Sequence, residues 1–264
     1  MEGRRVLVRQ LLYRSVGPGS PSLKSGTDWA AKVQYKRPLE DVLLLYQERL
    51  KQNGITLVRG EATAEWVVKQ KADFVVLATG SIPFIPPVTG LELIRSYDFG
   101  NAIDGEVRER NVAVLGGGAT GCETAEILMH QGKNVIILEM LDQLAGDLGN
   151  VRPLFLERMN EIGLQVYTGT RIWEIQKDRI IIQTQGKVRS LEGIEALVIS
   201  CGVAPNNLLE RQLQNSGVQS ISVGDCRKVR NGFWAIRAGF ELGMSFGAEQ
   251  IARGAGSFGK AQRS

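Results

Sequence analysis

Residues 111–139 read NVAVLGGGATGCETAEILMHQGKNVIILE. An apolar run, a glycine turn, an amphipathic stretch, a glycine stop and a second apolar run follow in order. That is the pattern of a strand, a helix and a parallel strand, a unit whose sheet is buried on both faces. Gly116, Gly117, Gly118, Ala119, Thr120 and Gly121 spell G-x-G-x-x-G between the first strand and the helix, the context that gives the pattern meaning. Gly116 makes the tight turn, Gly118 lets the backbone approach a pyrophosphate, and Gly121 lets the helix pack close to the sheet. The phosphates sit where unpaired N–H groups and the positive end of the helix dipole favour an anion. Glu139 closes the second strand about 18 residues beyond Gly121, near the roughly 20 at which an acid meets the ribose hydroxyls. Met140, Leu141 and Asp142 follow, with no arginine to pair a 2′-phosphate, so the expected dinucleotide is NAD(H) rather than NADP(H).

The rest of the chain is ordinary globular sequence. It has 264 residues, 43% hydrophobic and 23% charged, enough to build a core without disulfide or metal staples. The net charge of +4 is spread thinly. Arg4, Arg5, Arg9 and Arg14 lie near the start, and Arg227, Lys228 and Arg230 near the end. No aromatics interleave them as on a nucleic-acid surface. Cys122, Cys201 and Cys226 show no C-x-x-C spacing, and His130 is the single histidine, so zinc, iron–sulfur and His-based triads find no support. Cys201 and Cys226 read as small buried hydrophobes, and His130 as a residue at a helix C-terminus. No apolar run approaches the ~18 residues of a membrane span, and a cytoplasmic location is the default expectation.

Outward from the fingerprint, further elements are legible. Leu39, Val42, Leu43, Tyr46 and Leu50 share a helical face that Asn53 and Gly54 terminate. Residues 5–8, 55–58, 64–68 and 73–78 read as strands, and residues 9–28 as a Gly/Pro/Ser-rich loop. Residues 152–162 form a helix, 165–167 a strand, 172–183 with 188–191 an antiparallel meander, 196–200 a buried strand and 234–242 a last helix.

With these residues placed, the chain resembles the flavin- and pyridine-nucleotide-dependent oxidoreductases. More narrowly, it resembles the carboxyl-terminal FAD/NAD(P)-binding part of the NADH:flavin oxidoreductases related to dienoyl-CoA reductase, 2-enoate reductase and trimethylamine dehydrogenase. The matching stretches are RPLEDVLLLYQERLKQNGITLVRGEAT (37–63), DFVVLATGSIPFIPPVTG (73–90), the fingerprint through Met140, CGVAPN (201–206) and ISVGDC (221–226). The run Leu144, Ala145, Gly146, Asp147 leans toward the narrower family. The resemblance implies an α/β protein with two Rossmann-like nucleotide-binding units. An FAD-binding-like domain spans 1–109 and 217–264, and an NAD-binding domain spans 110–216. It further implies that Ala78, Thr79 and Gly80 lie at a crossover near both nucleotides, that Gly202 belongs to a cofactor-side turn, and that Gly224 and Asp225 face the ribityl chain of FAD.

The first unit is incomplete. GRRVLV (3–8) matches the opening strand, but RQLLYRSVGPGSPSLKSGTD (9–28) carries no G-x-G-x-x-G and no second strand ending in an acid. Pro18 stiffens the only glycine turn, and Pro21 falls where a helix should propagate. The seat for the FAD pyrophosphate is therefore missing. Two readings stand. One is a flavin-dependent oxidoreductase, or part of one, that passes hydride from NADH to flavin and works with a separate FMN/iron–sulfur or acceptor subunit. The other is a non-catalytic NAD/ADP-binding module or degenerate fragment that has lost FAD. Neither reading names a catalytic acid or base. Nucleic-acid and membrane partners are not expected.

Overall fold

The computed structural model describes residues 10–13 and 39–245. The expected strand at 5–8 lies outside the described residues. Strand β1 (Gln10–Tyr13) falls inside the stretch expected to be loop, because its backbone finds a parallel partner in β2 (Thr56–Arg59). Between them runs helix α1 (Leu39–Gln52), with Glu40 and Asp41 in its first turn and Arg49 and Lys51 in its last, each suited to the dipole.

Helix α2 (Ala64–Lys69) corrects the strand expected over 64–68. Thr63 caps it, its hydroxyl accepting the Trp66 N–H at 3.2 Å. That local bond outweighs the β preference of two adjacent valines. Strand β3 (Val75–Leu77) and the short β4 (Ser81–Pro83) follow.

Next come β5 (Arg95–Asp98), α3 (Phe99–Ile103), β6 (Asn111–Leu115), α4 (Ala119–His130), β7 (Asn134–Leu138), α5 (Arg152–Glu161) and β8 (Gln165–Tyr167). The meander is β9 (Thr170–Gln176), β10 (Arg179–Thr184) and β11 (Lys187–Glu192), and the buried strand is β12 (Ala196–Ile199). The chain then continues through β13 (Val203–Pro205), which pairs with β4, α6 (Leu208–Leu213), β14 (Ser220–Ser222) and α7 (Gly232–Ser245).

The described residues divide into two compact units, one of 10–13, 39–82 and 204–245, the other of 83–203. In the second unit, β5, β12, β6, β7 and β8 form one sheet in that order, every neighbouring pair parallel. Alternation along β6 explains its unbroken apolar sequence. Val112 and Val114 pack with Leu128, Phe155 and Met159 from the helices. Ala113 and Leu115 pack with Ile175, Ile180 and Ile182 of the antiparallel meander on the other face. The first unit pairs β14 with β3 in parallel and has a smaller core, where Val67 and Leu77 meet Leu209 and Leu213 of α6. On its helices α1 and α7, Leu44, Leu45, Phe233, Ile236, Phe240 and Met244 are exposed. The chain is thus an α/β protein built on a parallel sheet with a Rossmann-like nucleotide-binding layout.

Candidate dinucleotide site

The site grows from the carboxyl ends of β6 and β7. Gly116 leaves β6 at φ +105°, and its N–H bonds the Leu138 carbonyl at 2.9 Å, tying the turn to the adjacent strand. A side chain there would run into the Ser200 carbonyl, and one at Gly121 into the Gly116 carbonyl. Both glycines are therefore required by close backbone packing. Gly117 lies under Leu144 and Glu139. Gly118 differs. Its backbone is ordinary extended (φ −67°, ψ 177°), and a Cβ on it would meet only the Asp147 carboxylate, at 3.8 Å. Gly118 is thus the one glycine of the turn whose bare face is open to a ligand rather than pressed on protein.

The hydrogen-bond ladder of α4 begins with the Cys122 N–H to the Gly118 carbonyl at 3.0 Å. The N–H groups of Ala119, Thr120 and Gly121 belong to the first turn, which the ladder does not serve. Thr120 contributes its carbonyl to the Thr124 hydroxyl at 2.7 Å. Glu139 is buried at the end of β7. One carboxylate oxygen accepts the Gly117 N–H and the other the Leu141 N–H at 2.6 Å. Each oxygen keeps further lone-pair capacity, so the carboxylate braces the turn and can still accept from a ribose.

Two features were not legible as parts of this site. Asp147 reaches the start of α4, its Oδ1 accepting the Ala119 N–H at 3.0 Å. Its partner is distant in sequence, so no local motif announces the contact. Beyond Glu139, Met140, Gly169, Thr170, Arg171, Gln183 and Gly186 line a shallow depression of about 240 Å³. Arg171 supplies a cation that the residues directly after Glu139 do not, although its Nε is bonded to Gln183 Oε1 at 2.8 Å and its guanidinium lies 5.4 Å from the Trp173 ring centre.

The cysteines are all free. Burial, followed by the nearby charges of Asp147, Glu139 and Glu123, pushes the Cys122 thiol up to about 12. Burial, then Glu139, pushes Cys201 up to about 11. Neither is a thiolate at neutral pH, so neither is a nucleophile or redox sulfur there. Among the described residues there is no cluster able to hold a metal ion, and no helix long and apolar enough to cross a membrane.

The other residues expected on the cofactor side lie on turns. Ala78 follows β3 and leads to Thr79, whose hydroxyl donates to the Asn206 carbonyl at 2.5 Å. Gly80 (φ +69°) accepts the Asn206 N–H at 3.0 Å. Gly202 (φ +92°) accepts the Phe84 N–H at 3.0 Å. Gly224 opens a 3₁₀ turn with Asp225, whose Oδ1 accepts the Arg230 N–H at 3.1 Å. Asp225 thus already terminates a turn of its own chain. Nearby, the buried Ser222 hydroxyl has no hydrogen-bond partner.

A parallel sheet whose glycine turn opens a helix, with a carboxylate on the next strand end, defines a dinucleotide-binding α/β protein. The sequence matches the family "Pyridine nucleotide-disulphide oxidoreductase" over residues 25–225, and the chain belongs to that family. It is 29% identical to an NADH oxidase of Thermoanaerobacter brockii over 91% of its own length and 36% of that protein's. It is 32% identical to a bilirubin reductase of Mediterraneibacter gnavus over 63% of its own length and 26% of the relative's. The chain therefore spans only about a quarter to a third of the length of these relatives. A 2-naphthoyl-CoA reductase in complex with 2-naphthoyl-CoA shares the fold, with a TM-score of 0.81 at 24% identity over 89% of this chain and 36% of that one.

Membership of this family implies FAD and NAD(H) as cofactors. The residues fit the dinucleotide, because the bare face of Gly118 is a cradle that a side chain would fill. For FAD the fit is partial. The open glycine at 80 and the unpartnered Ser222 hydroxyl suit a cofactor edge, whereas Gly224 faces Ala235 and the sequence before Pro38 supplies no glycine fingerprint for a second pyrophosphate.

Proposed function

We propose that this chain is the nucleotide-binding part of a flavin-dependent oxidoreductase of the NADH:flavin oxidoreductase group related to dienoyl-CoA reductase, 2-enoate reductase and trimethylamine dehydrogenase. NADH seats on residues 116–121, and hydride leaves it for a flavin. The observation that carries the reading is the open backbone of Gly118 at the start of a 12-residue helix, faced by the Glu139 strand end. The first-turn N–H groups bind the pyrophosphate, and Glu139 orients the adenosine ribose through its free lone pairs. Its negative charge opposes a 2′-phosphate, so NADH binds more tightly than NADPH. A bound flavin supplies the hydride acceptor. In the first unit, Thr79, Gly80, Gly224 and Asp225 would border it. No protein acid or base is needed for this half-reaction, in keeping with the buried, protonated thiols. The final electron acceptor, with any FMN or iron–sulfur group, lies outside the described residues, in a further segment or a partner.

The missing fingerprint before Pro38 favours a second reading, a dinucleotide-binding module without its own flavin. Denaturing the purified protein and identifying the released cofactor separates the two. Released FAD, with a flavin band that NADH bleaches anaerobically, supports the oxidoreductase. Colourless protein that binds NADH supports the module, and protein that binds neither contradicts both.

A further inference from the structure

A carboxylate of this chain already holds one of the donors that the pyrophosphate needs. Asp147 Oδ1 accepts the Ala119 N–H at 3.0 Å, and a methyl at Gly118 would stand 3.8 Å from both Asp147 oxygens. Ala119 is the first residue of α4, so its N–H is among those left over by the helix ladder. The carboxylate therefore lies over the same bare backbone that a phosphate would approach. Two anions cannot share that N–H, and at such separations they repel.

The arm bearing Asp147 is fixed at its root and open at its tip. Leu144 and Ala145 are buried. The Ala145 N–H donates to the Gly117 carbonyl at 2.7 Å, and Arg152 Nε donates to the Leu144 carbonyl at 2.7 Å. Gly146, Asp147, Gly149 and Asn150 are exposed. The Asp147 side chain can swing clear while Leu144 and Ala145 keep their places in the core.

We propose that Asp147 is an intramolecular competitor for the pyrophosphate seat, so that dinucleotide binding exchanges its carboxylate for a phosphate at the Ala119 N–H. This rests on the reading that NADH seats on residues 116–121. Asp147 stabilises the helix start and lowers nucleotide affinity at the same atom.

The test titrates NADH into wild type, Asp147→Asn and Asp147→Ala by fluorescence and compares their thermal melts without nucleotide. Asn keeps the shape and removes the charge, which guards against a folding defect in the alanine variant. The expected result is a gain in NADH affinity of about tenfold in both variants, from loss of one charged competitor. The same alanine variant melts at a lower temperature than wild type. Variants that bind NADH when wild type does not also support the proposal. Wild-type binding with unchanged or weaker binding in both variants overturns the competitor and leaves the NADH seat standing. Failure of all three proteins to bind overturns both.

Discussion

Both oxygens of Glu139 are engaged by backbone N–H groups, so this side chain holds the glycine turn as well as facing a ligand. Glu139→Gln points an amide N–H₂ at one of the two donors, and stability falls by about 2 kcal/mol in urea unfolding. Gly121→Ala is costlier per atom added, because its methyl overlaps the Gly116 carbonyl. About 3 kcal/mol of stability is lost, readable in the same unfolding midpoint. The thiols give a pH prediction. Cys122 titrates near 12 in the folded chain against an ordinary 9.0, and the neutral form is the one the fold accommodates. The stability associated with it is complete below pH 9 and falls as pH rises from about 9 toward 12. Alkylation by iodoacetamide at pH 8 should leave Cys122 unmodified until the protein is unfolded; rapid labelling of the native protein would contradict this account.

At the scale of elements, the unit from β6 to β7 was legible throughout. After their first residues its strands are wholly apolar and, except for the half-buried Ile136, buried, and its turn is fixed by glycines that the backbone demands. Shorter elements were not. Residues 64–68 contain two valines and a tryptophan and read as a strand, yet Thr63 at the N-cap and burial of Val67 against Leu209 and Leu213 make a helix. A run of this length carries too few periods to distinguish the two. Thr63→Ala should cost about 1 kcal/mol by chemical denaturation. No loss would mean that packing alone sets α2. Strand β1 was hidden because its pairing partner lies beyond α1, and nothing local in Gln10–Tyr13 specifies a parallel neighbour. Asp147 was hidden for the same reason, as a tertiary contact reaching back to Ala119 across β7.

For the molecule as a whole, the second unit is a closed piece of architecture, with core on both faces of a five-stranded parallel sheet. The first unit has a small core and exposed apolar side chains on α1 and α7. The sequence showed this asymmetry as one complete fingerprint and one missing. A ligand that binds only the folded second unit should raise the melting temperature in a concentration-dependent way, by linkage. The central claim is that a pyrophosphate rests on the open backbone at Gly118. Gly118 has an unstrained conformation and no neighbour closer than 3.8 Å to an added Cβ, so Gly118→Ala leaves the fold intact while filling the cradle. Calorimetric titration of NADH into wild type and this variant is the direct measurement. The account predicts an unchanged melting temperature and at least a tenfold loss of NADH affinity in the variant; equal affinity in the two proteins would contradict it.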